Sequence, residues 1–151
     1  MISHENIYLN VEVNDYKDAL KTLGELLYKK NYVKDTYTNA LLKREEISPT
    51  GLPIHPWSIA IPHTDPEHVI KPCIIILKLK NDIEFREMAS NDKTVNVKYI
   101  FGLVFTDGKK QIPLLSSIIN MTKNQEAMEN LLNANDEDEI YKITTKYINN
   151  I

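Results

Sequence analysis

Two stretches of the chain, Cys73 to Leu79 (CIIILKL) and Val95 to Phe105 (VNVKYIFGLVF), are apolar almost without a break. A strand with one wet face alternates apolar and polar side chains, so runs this continuous imply strands buried on both faces. They are far shorter than the ~20 apolar residues that cross a bilayer. The chain must therefore cover both sides of a sheet, and these two runs are its expected central strands.

The covering elements are legible around them. Ile7, Leu9, Val11 and Val13 alternate with polar residues, as in a half-buried strand. Ala19, Leu20, Leu23, Leu26 and Leu27 recur at helical spacing, predicting a helix from Tyr16 to near Lys30. A second helix is expected from Asp35 or Thr36 to about Glu46, stopped by Ser48-Pro49 because the residue before a proline avoids helical angles. Ser58 to Ile61 reads as a short strand. The charged segment Asp82 to Lys93 reads as a turn with a small edge strand at Ile83 to Phe85. Ile112, Leu115, Ile118 and Ile119 mark the inner face of a third helix, with Pro113 tolerated in its first turn. Ala127, Met128, Leu131 and Leu132 suggest a fourth, and Asp136 to Glu139 cap a last helix through Ile140, Ile143, Tyr147 and Ile148. Alternating helices and strands predict an α/β fold, and 151 residues fit one domain, 1–151.

A net charge of -3 gives no basic field for phosphate backbones, so no nucleic-acid partner is expected. Cys73 is the one cysteine and lies inside an apolar run, which fits a buried thiol in a reducing compartment. The start, MISHENIYLN, lacks the basic and apolar regions of a leader, so a cytoplasmic protein without direct membrane insertion is expected.

Chemistry concentrates between Arg44 and Val69, REEISPTGLPIHPWSIAIPHTDPEHV, which holds three of the four histidines, five of the seven prolines and the only tryptophan. Its inner part places His63 directly after Pro62 at the end of the Ser58 to Ile61 strand. An imidazole held there by stiff backbone is a candidate nucleophile, because it is largely neutral near physiological pH and forms a labile phosphoramidate. Arg44 offers a delocalised cation suited to phosphoryl oxygens, and Thr50 and Thr64 offer hydroxyls. His55, His63, Asp65 and His68 could instead be metal ligands, but H-x7-H-x-D-x2-H matches no usual zinc spacing and the intervening prolines keep them off one helix face. His55 and His68 read as bystanders, and no metal or cofactor is expected.

The pattern R-E-x-[IL]-x-P-T-G-[IL], a short insertion and I-A-I-P-H-T resemble the enzyme IIA proteins of the phosphoenolpyruvate-dependent sugar phosphotransferase system, in the fructose and mannitol class. The added residues before His63 and the ending I-P-H-T-D-P-E-H-V look most like the galactitol-type branch, and the resemblance spans residues 5 to 149. It implies a mixed β-sheet flanked by helices on both faces. It also implies a phosphoryl carrier whose histidine takes phosphate from the carrier protein HPr and gives it to a cysteine of the IIB component, with the membrane subunit IIC downstream. By that resemblance His63 is the phosphorylated residue, at Nε2, and Arg44 and Thr50 hold the phosphoryl group. Many members carry a second histidine where this chain has Gln111, which can donate a hydrogen bond but cannot become a cation. Gln111 is therefore expected to orient the phosphoryl group.

Such a carrier needs no sugar pocket, only an exposed docking face near His63, for which Leu52, Ile54, Trp57 and Phe105 are the apolar candidates, Phe105 reading more as core. Two other functions remain open on the sequence. One is a regulatory module using the same histidine to signal sugar status. The other is a small metallohydrolase built on His55, His63, Asp65 and His68.

Overall fold

The computed structural model describes residues 1–148, so the ends of the expected 1–151 domain and of the 5 to 149 resemblance lie outside the described residues. Its elements are β1 (Ile2–Val11), α1 (Tyr16–Lys29), α2 (Tyr37–Ile47), β2 (Gly51–Leu52), β3 (Ser58–Ala60), β4 (Cys73–Arg86), β5 (Thr94–Val104), α3 (Gln111–Thr122), α4 (Gln125–Asn133) and α5 (Glu137–Thr145). The five strands form one mixed sheet in the order β1-β4-β5-β3-β2. β4 and β5 pair antiparallel, while β1 on β4 and β3 on β5 are parallel.

The two apolar runs sit inside the sheet, as their composition requires, and each feeds two cores. Ile74, Ile76, Tyr99, Phe101 and Leu103 face α3, α4 and α5, packing on Leu114, Ile118, Leu131 and Ile140. Ile75, Leu77, Ile100 and Val104 face α1 and α2, packing on Leu20, Leu23, Leu27, Tyr37 and Leu41. Gly102 belongs to the second face, where a Cβ would stand 2.6 Å from Ile75 Cγ2 and 3.1 Å from Leu23. Helix starts follow the sequence closely: Asp15, Asn124 and Asp136 each accept a backbone N–H of the first turn they cap.

Five expectations are corrected. β1 begins at Ile2 rather than Ile7, because Ile2 pairs with Ile74 of the apolar run. Its alternation also switches sides: Ile7 and Leu9 pack on the α3–α5 face but Val11 and Val13 on the α1–α2 face. A register irregularity between Tyr8 and Val11, with Asn10 at φ 54°, adds the residue that flips the pattern. The edge strand expected at Ile83 to Phe85 is the outer half of β4, which resumes pairing with β5 after an irregularity between Lys78 and Ile83.

The α3 phase differs too. Its buried stripe is Leu114, Ile118 and Met121, leaving Ile112 75% exposed, because a short 3-10 turn at Gly108–Lys110 sets where the helix starts. Finally, α5 ends at Thr145, and Ile148 reaches the core from the turn beyond it. No helix among the described residues is long and apolar enough to cross a membrane.

Candidate functional site

The sheet delivers His63 from its interior. β3 ends at Ala60, and the chain continues alongside β5, where Leu103 N–H donates to Pro62 O at 3.1 Å. That bond keeps the segment extended up to the histidine. His63 is only 6% exposed, its ring lying 6.1 Å from that of Phe105.

Its two nitrogens have distinct partners. Nδ1 lies 2.9 Å from Ile61 O, and a carbonyl can only accept, so Nδ1 carries the proton. Nε2 lies 3.2 Å from the side-chain nitrogen of Gln111, which donates to the remaining lone pair. The neutral ring with Nε2 unprotonated satisfies both contacts. Burial, above all, holds the His63 pKa below its ordinary value, and the nearby Arg44 cation adds to this against opposing effects of the Ile61 carbonyl and Asp65. At neutral pH the ring is therefore uncharged, with Nε2 unprotonated.

Nε2 faces a cleft of ≈ 470 Å³ whose lining includes Arg44, Thr50, His63 and Gln111. Arg44 comes from the last turn of α2 and lies 3.5 Å from Asp65, a loose pair with the arginine side chain 34% exposed. Gln111 is the first residue of α3, so the positive end of that helix also borders Nε2. All four residues named from the sequence thus share one cleft.

Thr50 is engaged differently from expectation. Its N–H donates to Glu45 Oε2 at 2.7 Å and its hydroxyl to Glu45 Oε1 at 2.8 Å. Both protons are committed to a carboxylate that is itself 3% exposed. Thr50 therefore fixes the cleft wall rather than offering a free donor. Burial pushes the Glu45 pKa up, while the Thr50 bonds and the Arg86 cation pull it down. Thr64, the other hydroxyl singled out, is 5% exposed and is not among the residues lining the cleft.

Glu45 was missed by the sequence reading although it carried a signal: Tyr37, Leu41 and Glu45 fall on one helix face at i, i+4, i+8, which puts a carboxylate in an apolar stripe. Also missed was the turn between β4 and β5, whose Met88, Ser90 and Asn91 line the cleft. It is held there because Gly51 bridges Glu87 and Met88 N–H donates to Gly51 O at 2.7 Å. Gly51 is required for that approach, since a Cβ would stand 2.7 Å from Arg86 O. Nothing local in the sequence announces so distant a pairing.

The proposed apolar docking residues are also corrected. Leu52, Trp57 and Phe105 are 7%, 7% and 2% exposed, and Ile54 packs partly buried against the same core. Trp57 lies 5.4 Å from Tyr99 because the inserted loop folds down onto the sheet. The exposed large apolar side chain that lines the cleft is Ile47, 80% exposed. The remaining histidines point elsewhere: His68 Nδ1 bonds Thr36 Oγ1 at 2.8 Å, and His55 lines a different cavity with Trp57 and Met128. No cluster of three His, Cys, Asp or Glu side chains able to hold a metal occurs among the described residues.

Residues 1–147 match the family model described as "Phosphoenolpyruvate-dependent sugar phosphotransferase system, EIIA 2". The chain is 28% identical over 134 residues to the galactitol-specific EIIA component of Escherichia coli K12, covering 89% of this chain and 88% of that protein. It is equally 28% identical, over 146 residues and 95% of each chain, to the mannitol-specific enzyme IIA component of Bacillus subtilis. The fold is that of the mannitol IIA crystal structure from Escherichia coli, with TM-score 0.77 at 24% identity over 95% of this chain and 99% of the other. It is likewise that of mannitol IIA in its complex with phosphorylated IIB, with TM-score 0.78 at 23% identity over 97% and 98%.

Proposed function

The chain belongs to the EIIA 2 family of the phosphoenolpyruvate-dependent sugar phosphotransferase system, and on that premise we propose that His63 Nε2 is the atom on which it carries the phosphoryl group. The observation that carries this reading is the pair of contacts on His63: Nδ1–H to Ile61 O and Nε2 to the Gln111 amide. Together they leave one nitrogen with a lone pair, facing the cleft that Arg44 borders.

The reaction runs in two displacements. The Nε2 lone pair attacks the phosphorus of a phosphorylated donor protein, the HPr carrier, and the donor's N–P bond breaks with its electron pair returning to the donor. The His63 ring then holds a positive charge, delocalised to the Nδ1–H that Ile61 O accepts. In the second step a cysteine thiolate of a IIB component attacks the phosphorus, and the N–P electrons return to Nε2. Because Nδ1 keeps its proton, the leaving group is a neutral imidazole, which keeps the phosphoryl group transferable.

Arg44 offers a guanidinium to the equatorial oxygens, and its loose pairing with Asp65 leaves it free to turn towards them. Gln111 and the start of α3 contribute donors on the other side. Glu45 and Thr50 keep the wall between Arg44 and His63 rigid. Partners dock across the cleft mouth, where Ile47 is exposed; IIC is reached only through IIB. The mannitol IIA relative complexed with phosphorylated IIB supports IIB as a partner class. Relatives specific for galactitol and for mannitol are equally similar to this chain, and the inserted Pro53 to Trp57 segment favours the galactitol-type branch.

The test is incubation with enzyme I, HPr and phosphoenolpyruvate, followed by intact-protein mass. A gain of one phosphoryl group, lost in His63→Ala and discharged by a IIB cysteine, is expected. Phosphorylation that persists in His63→Ala overturns the assignment, and failure of any IIB to discharge it favours a signalling role.

A further inference from the structure

A second cleft, of ≈ 280 Å³, opens on the sheet well away from His63, and its walls carry Lys78, Lys80 and Lys98 but no acidic side chain. Lys98 lies five residues before Leu103, whose N–H meets the His63 segment, so at ~3.3 Å per strand residue the two sites are about 17 Å apart along β5.

Irregularities in three adjacent strands converge on this cleft. Leu9 and Asn10 lie where β1 breaks register with β4, Asn10 being at φ 54°. Lys78 is the last residue before the irregularity in β4. Lys98 is the extra residue of a bulge in β5, since Ser58 pairs with Val97 and Ile59 with Tyr99. Bulges re-aim side chains and concentrate beside functional sites.

The ammonium groups are held in place. Lys78 Nζ donates to Leu132 O at 2.8 Å and Ala134 O at 2.7 Å, leaving one N–H for a ligand, and it stands 5.7 Å from the Tyr99 ring centroid. Lys98 Nζ donates to Lys80 O at 3.3 Å with its side chain only 20% exposed. Acids meet these lysines from outside the lining: Glu12 on Lys80 at 2.9 Å, Asp82 on Lys98 at 3.8 Å, and Glu139 near Lys78. Even so, burial and the neighbouring Lys98 cation hold the Lys78 pKa below its ordinary value. A bound anion relieves that crowding.

We propose that this cleft is a binding site for a small phosphomonoester, its phosphoryl dianion held by Lys78, Lys80 and Lys98 and its body placed against Leu132 between Asn10 and Asn135. The volume suits a single sugar-sized body and is below the usual range for drug-sized ligands. The two asparagines present amides for hydroxyl groups.

The test is a two-dimensional amide NMR titration of the full chain with inorganic phosphate and, separately, with glucose 6-phosphate, repeated on Lys98→Gln, Lys80→Gln and His63→Ala. Saturable shifts at Lys78, Lys98 and Asn135 are expected in the parent and in His63→Ala. Each lysine variant is expected to weaken binding by roughly tenfold, the scale for losing one charge-assisted contact. Tighter binding of the sugar phosphate than of inorganic phosphate is expected, and equal binding overturns the placement of the body against Leu132. Lys80 is exposed, so its variant keeps the fold even if Lys98→Gln does not. Shifts confined to the neighbours of His63, unsaturable drift, or unchanged binding in Lys80→Gln overturn the proposal.

Discussion

Thr50 gives both of its protons to Glu45, one from the backbone and one from the hydroxyl. The pair joins the end of α2 to the start of β2, and so fixes the segment between Arg44 and the cleft wall. Glu45→Ala leaves a buried N–H and a buried hydroxyl without an acceptor. The expected cost is about 2–6 kcal/mol of stability, counted from ~1–3 kcal/mol for each of the two stranded groups, and chemical denaturation measures it.

The same carboxylate makes a pH prediction. Burial raises the Glu45 pKa in the folded state, so between the unfolded value and the folded one the native chain binds more protons than the unfolded chain. Its contribution is fully present below about 4.3, the ordinary glutamate value, and declines as pH rises through the folded pKa. Glu45→Gln lacks this titration. The stability difference between parent and variant, followed by urea midpoints from pH 4 upward, is expected to shift in favour of the variant as pH rises.

His63 carries the opposite sign. Its pKa is lowered, so in the window below about 6.5, the ordinary histidine value, the unfolded chain binds the extra proton and stability falls as pH drops. Nitrogen NMR of the imidazole from pH 5 to 8 is expected to show Nδ1 protonated, Nε2 bare and a midpoint under 6.5. A bare Nδ1 contradicts the Ile61 contact.

Gln111→Leu keeps the helix and removes the donor on Nε2. Loss of one hydrogen bond to a charged group is worth about 1.5–3 kcal/mol, or roughly 10- to 100-fold in rate. Phosphoryl acceptance from phosphorylated HPr is expected to slow on that scale while thermal stability stays within about 0.5 kcal/mol. An unaltered rate removes Gln111 from the phosphoryl site.

Arg44→Lys separates charge from geometry. The Asp65 pair is loose and partly exposed, so stability is expected to change by less than about 1 kcal/mol. A lysine replaces the planar fork with a point charge, and transfer is expected to fall substantially in stopped-flow or quench assays. Full activity in Arg44→Lys shows that charge alone suffices.

Much of this was visible before any coordinates. The apolar continuity of Cys73 to Leu79 and Val95 to Phe105 required burial on both faces, and the sheet interior is where they lie. His63 at a strand end and Arg44 in a last helical turn followed from local rules. What escaped was set by contacts distant in sequence. Trp57 sinks onto Tyr99 although its proline-rich loop suggested a surface, and the Met88 to Asn91 turn reaches the cleft only through Gly51. Period-two reasoning failed in β1 because one left-handed residue, Asn10, changes the parity of everything after it. The phase of α3 failed because a three-residue turn, invisible to periodicity, sets its first residue.

The acceptor that fixes the tautomer of His63 is the carbonyl of Ile61, a main-chain atom. No side-chain replacement at position 61 can delete it. The tautomer is thus set by the turn itself: side chains around the histidine can be exchanged and leave it unchanged, provided the path from Ile61 through Pro62 keeps its shape. An insertion or deletion of one residue there, by contrast, moves that carbonyl away from Nδ1 and removes the contact that sets the tautomer.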